Sequence, residues 1–434
     1  MPGAFALLLF LSFCPFPGHW LLAYVAFVPV FACLGNLRLR DFWVGGLLFW
    51  LLALYWIPRT VNSYGKTGWL LALLAYIALS AYLSLYFLLW GFLCSIKREP
   101  VLASFWFVLL EWVRLKLLFG FPLFMLSHTQ ADVPILIQVA SLGGQWLVGL
   151  QVLAVGVSLV KGRRWIFIPV ALFALNLLLW FSAGEAPVPL RVAMVQPDLG
   201  EGKWDPAKKR ENVELVLSMV KRACREHPDL IITPETTLPF YWGLDSETYY
   251  VMQQLEGCKS PVLFGVISYR LIDKRPVLFN SAVLVRGFEL LARYDKKVLV
   301  PFGEFVPLRG VLERLFPFVE FPGDFGRGRG TPVVEVQGMR FTCGICYEMA
   351  YPDYIDRYAG GTDFLVNITN DAWFGRTIAP YVHLWSSVLR AVENRKYLFR
   401  CANSGISAVV SPRGVVLKRL PLMSRGVLLF PGTL

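Results

Sequence analysis

The chain has 434 residues and a net charge of +12, with 56% hydrophobic, 15% aromatic and only 17% charged residues. Soluble chains carry about 25% charged residues, so these averages exclude a disordered chain and disfavour an ordinary soluble enzyme. No long Lys/Arg run or basic amphipathic stripe is present, so the basic excess points to anchoring at membrane interfaces and not to nucleic acid. The charge is unevenly spread: 15 charged residues fall in 1–184 and the other 57 in 185–434. Residues 1–184 therefore read as a transmembrane helical domain, and 185–434 as a globular domain large enough for its own core.

A helix needs ~20 apolar residues to cross the hydrocarbon layer. Segment 1–37 has no charged side chain but is broken by Pro15, Pro17 and Gly18, which predicts two short spans near 3–14 and 19–35. Further spans are expected at 42–58, 67–96, 101–119, 133–160 and 165–184, about seven in all. The start lacks the basic region and small-residue cleavage site of a removable signal peptide. Glu111 and Arg114, three apart on one predicted helix, suit an ion pair. The apolar connection 117–131 contains Gly120 and Pro122 and reads either as the end of a kinked span or as an interfacial lip that admits lipid tails. Alternate loops carry Arg38 and Arg40, Lys97 and Arg98, and Lys161, Arg163 and Arg164, against Arg59 and Lys66 on the other side with Arg114 and Lys116 near the long connection. Basic loops stay cytoplasmic. The N-terminus is then inside and everything after Gly184 outside, which in a bacterium is the periplasm or the outer membrane face.

After the short Pro-containing junction 183–189 the pattern changes. Strands are expected at 190–195, 230–233, 262–267, 281–285, 290–294, 340–345, 364–368 and 406–410, with amphipathic helices at 206–226 and 383–393. Strands interleaved with helices argue for an α/β sandwich with a substantial sheet. Of eight cysteines, Cys14, Cys33 and Cys94 lie in apolar stretches, and Cys224, Cys258, Cys343, Cys346 and Cys401 do not resemble a disulfide framework. The four histidines are scattered, so no metal cluster is legible.

Three strand-end turns present reactive side chains. Glu235 follows an apolar strand and Pro234, where a carboxylate can serve as a general base, although alone it reads more readily as structural. In RYDKKVLVPFGEF, alternation puts Tyr294, Lys296 and Val298 on one face. An inward lysine needs a partner and could stabilise an oxyanion; alone it reads more readily as a snorkelling or ion-paired surface residue. Cys346 follows the strand 340–345 and is a plausible nucleophile. Its rivals are a redox or metal pair with Cys343, disfavoured because residues three apart on a strand face opposite ways, and a buried structural cysteine.

Glu, Lys and Cys in that order, each closing a strand, are more specific together. From 192 to about 430 the chain resembles the nitrilase, or carbon–nitrogen hydrolase, superfamily with its Glu-Lys-Cys triad. More narrowly, the whole chain is similar to the bacterial apolipoprotein N-acyltransferases. The resemblance rests on AYLSLY (81–86), GFP (120–122), MVQPD (194–198), KWD (203–205), PE (234–235), RYDKKVLVPFGEFVPL (293–308), CYE (346–348), NDAWFG (370–375) and NSGISAV (403–409). It implies a membrane helical bundle followed by an extracytoplasmic αββα sandwich, in a multi-pass protein of the bacterial inner membrane. It further implies Glu235 as base, Lys296 and not Lys297 as catalytic lysine, and Cys346 as nucleophile, supported by Glu304, Tyr347 and Glu348. Trp204 matches an aromatic on a loop near the site; by itself it reads also as a surface or interfacial aromatic. Asn370, Asp371 and Trp373 shape the site.

The implied reaction is a ping-pong transfer. An acyl chain of a phospholipid passes to Cys346 as a thioester and then to the α-amine of the diacylglyceryl-cysteine of an apolipoprotein, with no metal or soluble cofactor. The competing reading is a membrane-tethered amidase or nitrilase-like hydrolase with water as acceptor; a non-catalytic lipid-binding scaffold is a third. Members of the family usually return to the membrane with a final helix, whereas this chain stops at Leu434.

Overall fold

The computed structural model describes residues 1–65, 68–118, 120–200, 202–315 and 324–433. Lys66 and Phe119, which entered the charge and span readings, lie outside the described residues. The chain divides into two compact units, one of residues 1–184 with 377–395, the other of residues 185–376 with 396–434.

The first unit is helical: Pro2–Leu11, His19–Ala26, Val28–Ala32, Leu39–Ala53, Ile57–Gly65, Trp69–Ile96, Pro100–Lys116, Ala140–Lys161, Phe167–Ser182 and, from the far end of the chain, Ala379–Asn394. Among the described residues only Trp69–Ile96, Ala140–Lys161 and Arg163–Ser182 are long and apolar enough to cross a membrane singly. A fourth span forms if Leu39–Ala53 and Ile57–Ser63, bent by 50°, count as one. The expected seven spans are thus three or four full-length helices among shorter apolar ones. The expected span at 133–160 begins as a helix only at Ala140 and kinks at Gly143 and Gly144, where Gly144 takes a φ of +61° that only glycine adopts cheaply. Segment 117–131 does not continue a span. The helix stops at Lys116, the backbone turns through left-handed conformations at Leu118, Gly120 and Phe124, and Leu126–Gln130 form a short 3₁₀ turn.

Buried polar pairs punctuate this unit. Glu111 and Arg114 lie 3.9 Å apart. Together they hold the following connection: Glu111 accepts from the Leu126 N–H at 2.8 Å, and Arg114 donates to the Phe124 carbonyl at 3.2 Å while lying over the Trp50 ring. Arg390 pairs with Glu393 at 2.6 Å and donates to Gln145 at 3.1 Å, while Glu393 accepts from the Gln145 N–H. Asp132, itself exposed, joins the buried His19 and the buried Trp385 indole. In an apolar unit such groups persist only when paired.

The second unit is two sheets face to face. Its strands are β1 (Val192–Gln196), β2 (Leu230–Ile232), β3 (Tyr241–Trp242), β4 (Val262–Ile272), β5 (Arg275–Arg286), β6 (Glu289–Asp295), β7 (Val333–Val336), β8 (Met339–Ile345), β9 (Phe364–Thr369), β10 (Leu398–Ala402), β11 (Ser407–Val410), β12 (Val416–Leu420) and β13 (Gly426–Phe430). One sheet runs β13-β1-β2-β4-β5-β6, with β3 paired to β4; the other runs β12-β11-β10-β9-β8-β7. Met194, Ile232, Leu263 and Leu284 of the first sheet pack against Phe341, Ile345, Val366 and Phe399 of the second. The outer face of the first sheet is covered by helices Lys209–Cys224 and Glu247–Gln254, through Val213, Val216, Leu217, Val220 and Val251. Helix Pro352–Ala359 buries Ile355 beside β8. These are the layers of an αββα sandwich. Strand β10 is buried on both faces but carries Arg400 at its centre, paired with Asp371, and that charge hid it from the apolar-run test.

One expectation is overturned. Cys224, at the end of helix Lys209–Cys224, is disulfide-bonded to Cys258, their Cα atoms 5.7 Å apart and 34 residues apart in sequence. No spacing motif announces the pair. The two cysteines meet because both helices end on the same face of the first sheet.

Candidate active site

The three reactive residues stand in turns that directly follow β2, β6 and β8. After β2 the chain crosses β4 at Gly265, where a Cβ would sit 2.1 Å from the Pro234 carbonyl oxygen and 2.6 Å from the Glu235 Cα. Only glycine permits that crossing. Thr236 then adopts φ +46° and Thr237 donates its N–H to the Gly265 carbonyl at 2.7 Å. Lys296 comes immediately after β6, its N–H bonded to the Asn280 carbonyl on β5. Cys346 follows β8 with φ +51°. That left-handed turn is costly for a non-glycine residue and is held by the Glu348 carboxylate, which accepts from the Ile345 N–H at 2.9 Å.

The side chains converge. The Lys296 ammonium, 1% exposed, lies 3.1 Å from Glu235 and 2.9 Å from Glu304. Asn280 bridges the same two carboxylates, at 2.7 and 2.6 Å. The other Glu235 oxygen accepts from the Asn370 N–H at 2.9 Å. The Cys346 thiol hydrogen-bonds to Glu235 and also meets Thr369. Glu348 accepts from the Lys297 and Val298 N–H groups and the Tyr294 hydroxyl, and so ties the lysine turn to the cysteine turn.

Electrostatics follow from this packing. Burial pushes the Glu235 carboxyl up, but the charge of Lys296 and the donors Asn280, Lys296 and Cys346 outweigh it and hold the group below its ordinary value. Burial pulls Lys296 down, yet Glu235, Glu304 and Cys346 hold it well above the usual lysine range. Burial and the Glu235 charge together raise the Cys346 thiol, against the opposing pull of Lys296. At neutral pH the cluster is therefore a neutral thiol aimed at a carboxylate, beside a permanent cation. Such a set can take a proton from sulfur as sulfur attacks, and can neutralise the oxyanion that results.

Of the residues expected from sequence, Glu235, Lys296, Cys346 and Glu304 meet directly, and Glu348 reaches them through the backbone. Tyr347 is partly buried with its ring edge-on to Tyr351. Trp204 is 39% exposed, its ring 6.1 Å from Tyr241. Asp371 is fully buried against Arg400 at 2.7 Å, behind the Asn370 turn. Cys343 is a buried, unbonded core cysteine on β8. Sequence reasoning missed Asn280 and Lys203. Asn280 left a usable signal, since it interrupts the apolar run of β5 with an amide that needs a partner.

Residues 191–430 match the carbon–nitrogen hydrolase family, and residues 5–158 match the apolipoprotein N-acyltransferase N-terminal domain. The apolipoprotein N-acyltransferase of Geobacter metallireducens is 33% identical over 97% of this chain and 86% of its own length. Those of Azotobacter vinelandii and Aquifex aeolicus are 34% and 30% identical, over 89% and 94% of this chain and 79% and 93% of theirs. The chain belongs to the apolipoprotein N-acyltransferase family.

Proposed function

We propose that this membrane enzyme transfers an acyl chain from a phospholipid to the α-amine of the N-terminal diacylglyceryl-cysteine of apolipoproteins. Glu235 takes the Cys346 proton as sulfur attacks the ester carbonyl carbon, and Lys296 holds the negative charge that develops on the carbonyl oxygen. The ester C–O bond breaks, the lysophospholipid oxygen takes the proton back from Glu235, and a thioester remains on Cys346. The lipoprotein amine then attacks the thioester, its proton passes to Glu235, and the departing sulfur recovers it. Glu304 and Asn280 keep the base and the cation at their separation, and Glu348 holds the cysteine turn.

The observation that carries this reading is the joint presence, in one chain, of an apolar helical unit and a cluster of buried Glu235 and Lys296 with the half-buried Cys346. The helices give a lipid-anchored donor and acceptor a reason to come here, and the cluster supplies acyl-transfer chemistry without further parts. Two features support a catalytic unit on the outer face of the bacterial inner membrane: the basic bias of alternate loops, and the Cys224–Cys258 disulfide, which persists in oxidising compartments.

The test is mass spectrometry of the enzyme incubated with phospholipid, followed by a diacylated lipopeptide. One acyl adduct on Cys346 is expected, chased onto the lipopeptide amine and absent in Cys346→Ala. Release of free fatty acid instead of transfer would make the protein a hydrolase, and an adduct on Cys343 would remove Cys346 from its assigned role.

A further inference from the structure

A second lysine is buried against the base. Lys203 is 7% exposed, and its ammonium donates to the carbonyl of Thr236 at 2.8 Å and to its hydroxyl at 2.7 Å. Thr236 is the residue after Glu235 and carries the left-handed backbone of that turn. The loop that bears Lys203 is itself fixed. The Lys203 carbonyl accepts from the Asn212 side chain, and the Leu199 N–H and carbonyl are both held by the Asn403 amide. Asn403 also donates to Asn370, whose N–H donates to Glu235. The loop that presents Trp204 is thus bolted to Glu235 at two points, through Asn403 and Asn370 at one end and through Lys203 and Thr236 at the other.

A buried lysine with only neutral hydrogen-bond acceptors is expensive. A threonine hydroxyl and a carbonyl would be served as well by an amide, so the charge itself requires a reason, and the charged group that Lys203 faces is Glu235. Lys208 lies nearby with its ammonium towards Gly202, while Glu235 itself faces Lys296 and Cys346. We infer that Lys203 is a positioning residue for the general base: it fixes the Glu235 turn to the Trp204 loop and adds a second positive charge that keeps the Glu235 carboxylate ionised. Burial lowers Lys203 to about 8 against the opposing pull of Glu235, so this cation is lost in mildly alkaline solution while Lys296 keeps its charge.

The inference rests on Glu235 acting as base for Cys346, and its test separates the two. The rate of Cys346 acylation is measured against pH in the full-length enzyme with phospholipid in mixed micelles. Alkylation of Cys346 by iodoacetamide provides a parallel readout that needs no lipid. Lys203→Gln keeps donors but removes the charge. Its acid limb is expected to move up by about 1 pH unit, because an unassisted carboxylate is more easily protonated. The maximal rate should fall at least about tenfold with KM for phospholipid unchanged, as expected for an interaction that acts on the chemical step. Lys203→Arg should keep the wild-type acid limb. An unmoved limb in Lys203→Gln, or a shifted limb in Lys203→Arg, overturns the inference; if Lys203→Gln does not fold, the Lys203→Arg limb decides alone. A wild-type enzyme that takes no acyl group onto Cys346 overturns instead the reading on which the inference rests.

Discussion

Glu235 and Lys296 are charged in a place that disfavours charge, and each is the reason the other can be. Removing Lys296 leaves a buried carboxylate without its cation, and removing Glu235 leaves Lys296 with Glu304 alone, so both variants lose more than a contact. Glu235→Gln preserves shape and can still accept from Asn280, yet it cannot take a proton. Acylation of Cys346 is expected to fall about 10²- to 10⁴-fold, measured as the single-turnover rate of adduct formation; a fall of less than tenfold would assign the base elsewhere. The sign of the pH effect is fixed by the direction of the shift. Glu235 is held below its ordinary value, so its charge contributes stability above the unfolded carboxyl's value of about 4.3 and that stability is lost as pH falls through the lower folded value. The wild-type rate should therefore stay free of an acid limb down to about pH 4.3. The proposed triad residues were legible in sequence because each closes an apolar strand and sits in a family motif. Asn280 showed only as an interruption of an apolar strand and Lys203 only as part of KWD, because what they do exists only as contacts with Glu235 and Thr236, 45 and 33 residues away.

At the scale of elements, alternation and apolar runs placed the strands β1, β2, β4, β5, β6, β8, β9 and β11 close to where they lie, with β4 and β5 extending well beyond the expected limits. Their outer parts mix Arg270 and Arg275 with the exposed Leu271 and Ile272, so they show no clean alternation, but they are paired along an 11-residue ladder. Strands β3, β7, β10, β12 and β13 were missed; β3 is only two residues long, β12 is largely exposed, and β13 is stabilised by its antiparallel pairing with β1 at the opposite end of the domain's sequence. The disulfide belongs to this scale too. It closes the stretch that contains β2, β3 and helix Glu247–Gln254. In the chain-entropy picture a loop of this length contributes about 3–4 kcal/mol. Reduction, or Cys224→Ser, should lower the unfolding transition of the second unit by that amount, read from thermal or denaturant melts in detergent. Loss of the disulfide-linked Cys224–Cys258 peptide pair on non-reducing peptide mapping is the accompanying check. An unchanged melt would show that the cross-link adds nothing to the packing around it.

For the whole molecule, the two halves of the sequence correspond to two kinds of core, one of helices and one of sheets, but the chain does not hand over only once. Helix Ala379–Asn394 belongs to the helical unit, where Trp385, Arg390 and Glu393 find buried partners, whereas its amphipathic pattern had read as part of the globular half. The loop charges make a prediction at this scale. A cysteine introduced at exposed Glu335 on β7 should be labelled by a membrane-impermeant maleimide in intact spheroplasts, above the parent's background. Labelling only after lysis would put the catalytic unit on the cytoplasmic side and reverse the orientation read from Arg38, Arg40, Lys97, Arg98, Lys161, Arg163 and Arg164.

The sequence by itself determined what depends on local pattern. The change in charge density at residue 184 separated an apolar helical part from an α/β part, and strand-end positions singled out a glutamate, a lysine and a cysteine. Burial patterns and motif order are written along the chain, so they survive without coordinates. Tertiary structure decided whatever depends on which distant surfaces touch. Among the described residues it left three or four helices long enough to cross alone, with shorter apolar helices and a 50° bend between Leu39–Ala53 and Ile57–Ser63 in the place of other expected spans. It paired Cys224 with Cys258 and sent helix Ala379–Asn394 back to the first unit. It also surrounded Glu235 with Lys296, Asn280, Asn370 and Lys203, and the ionisation of that carboxylate is a property of this enclosure, not of the residue.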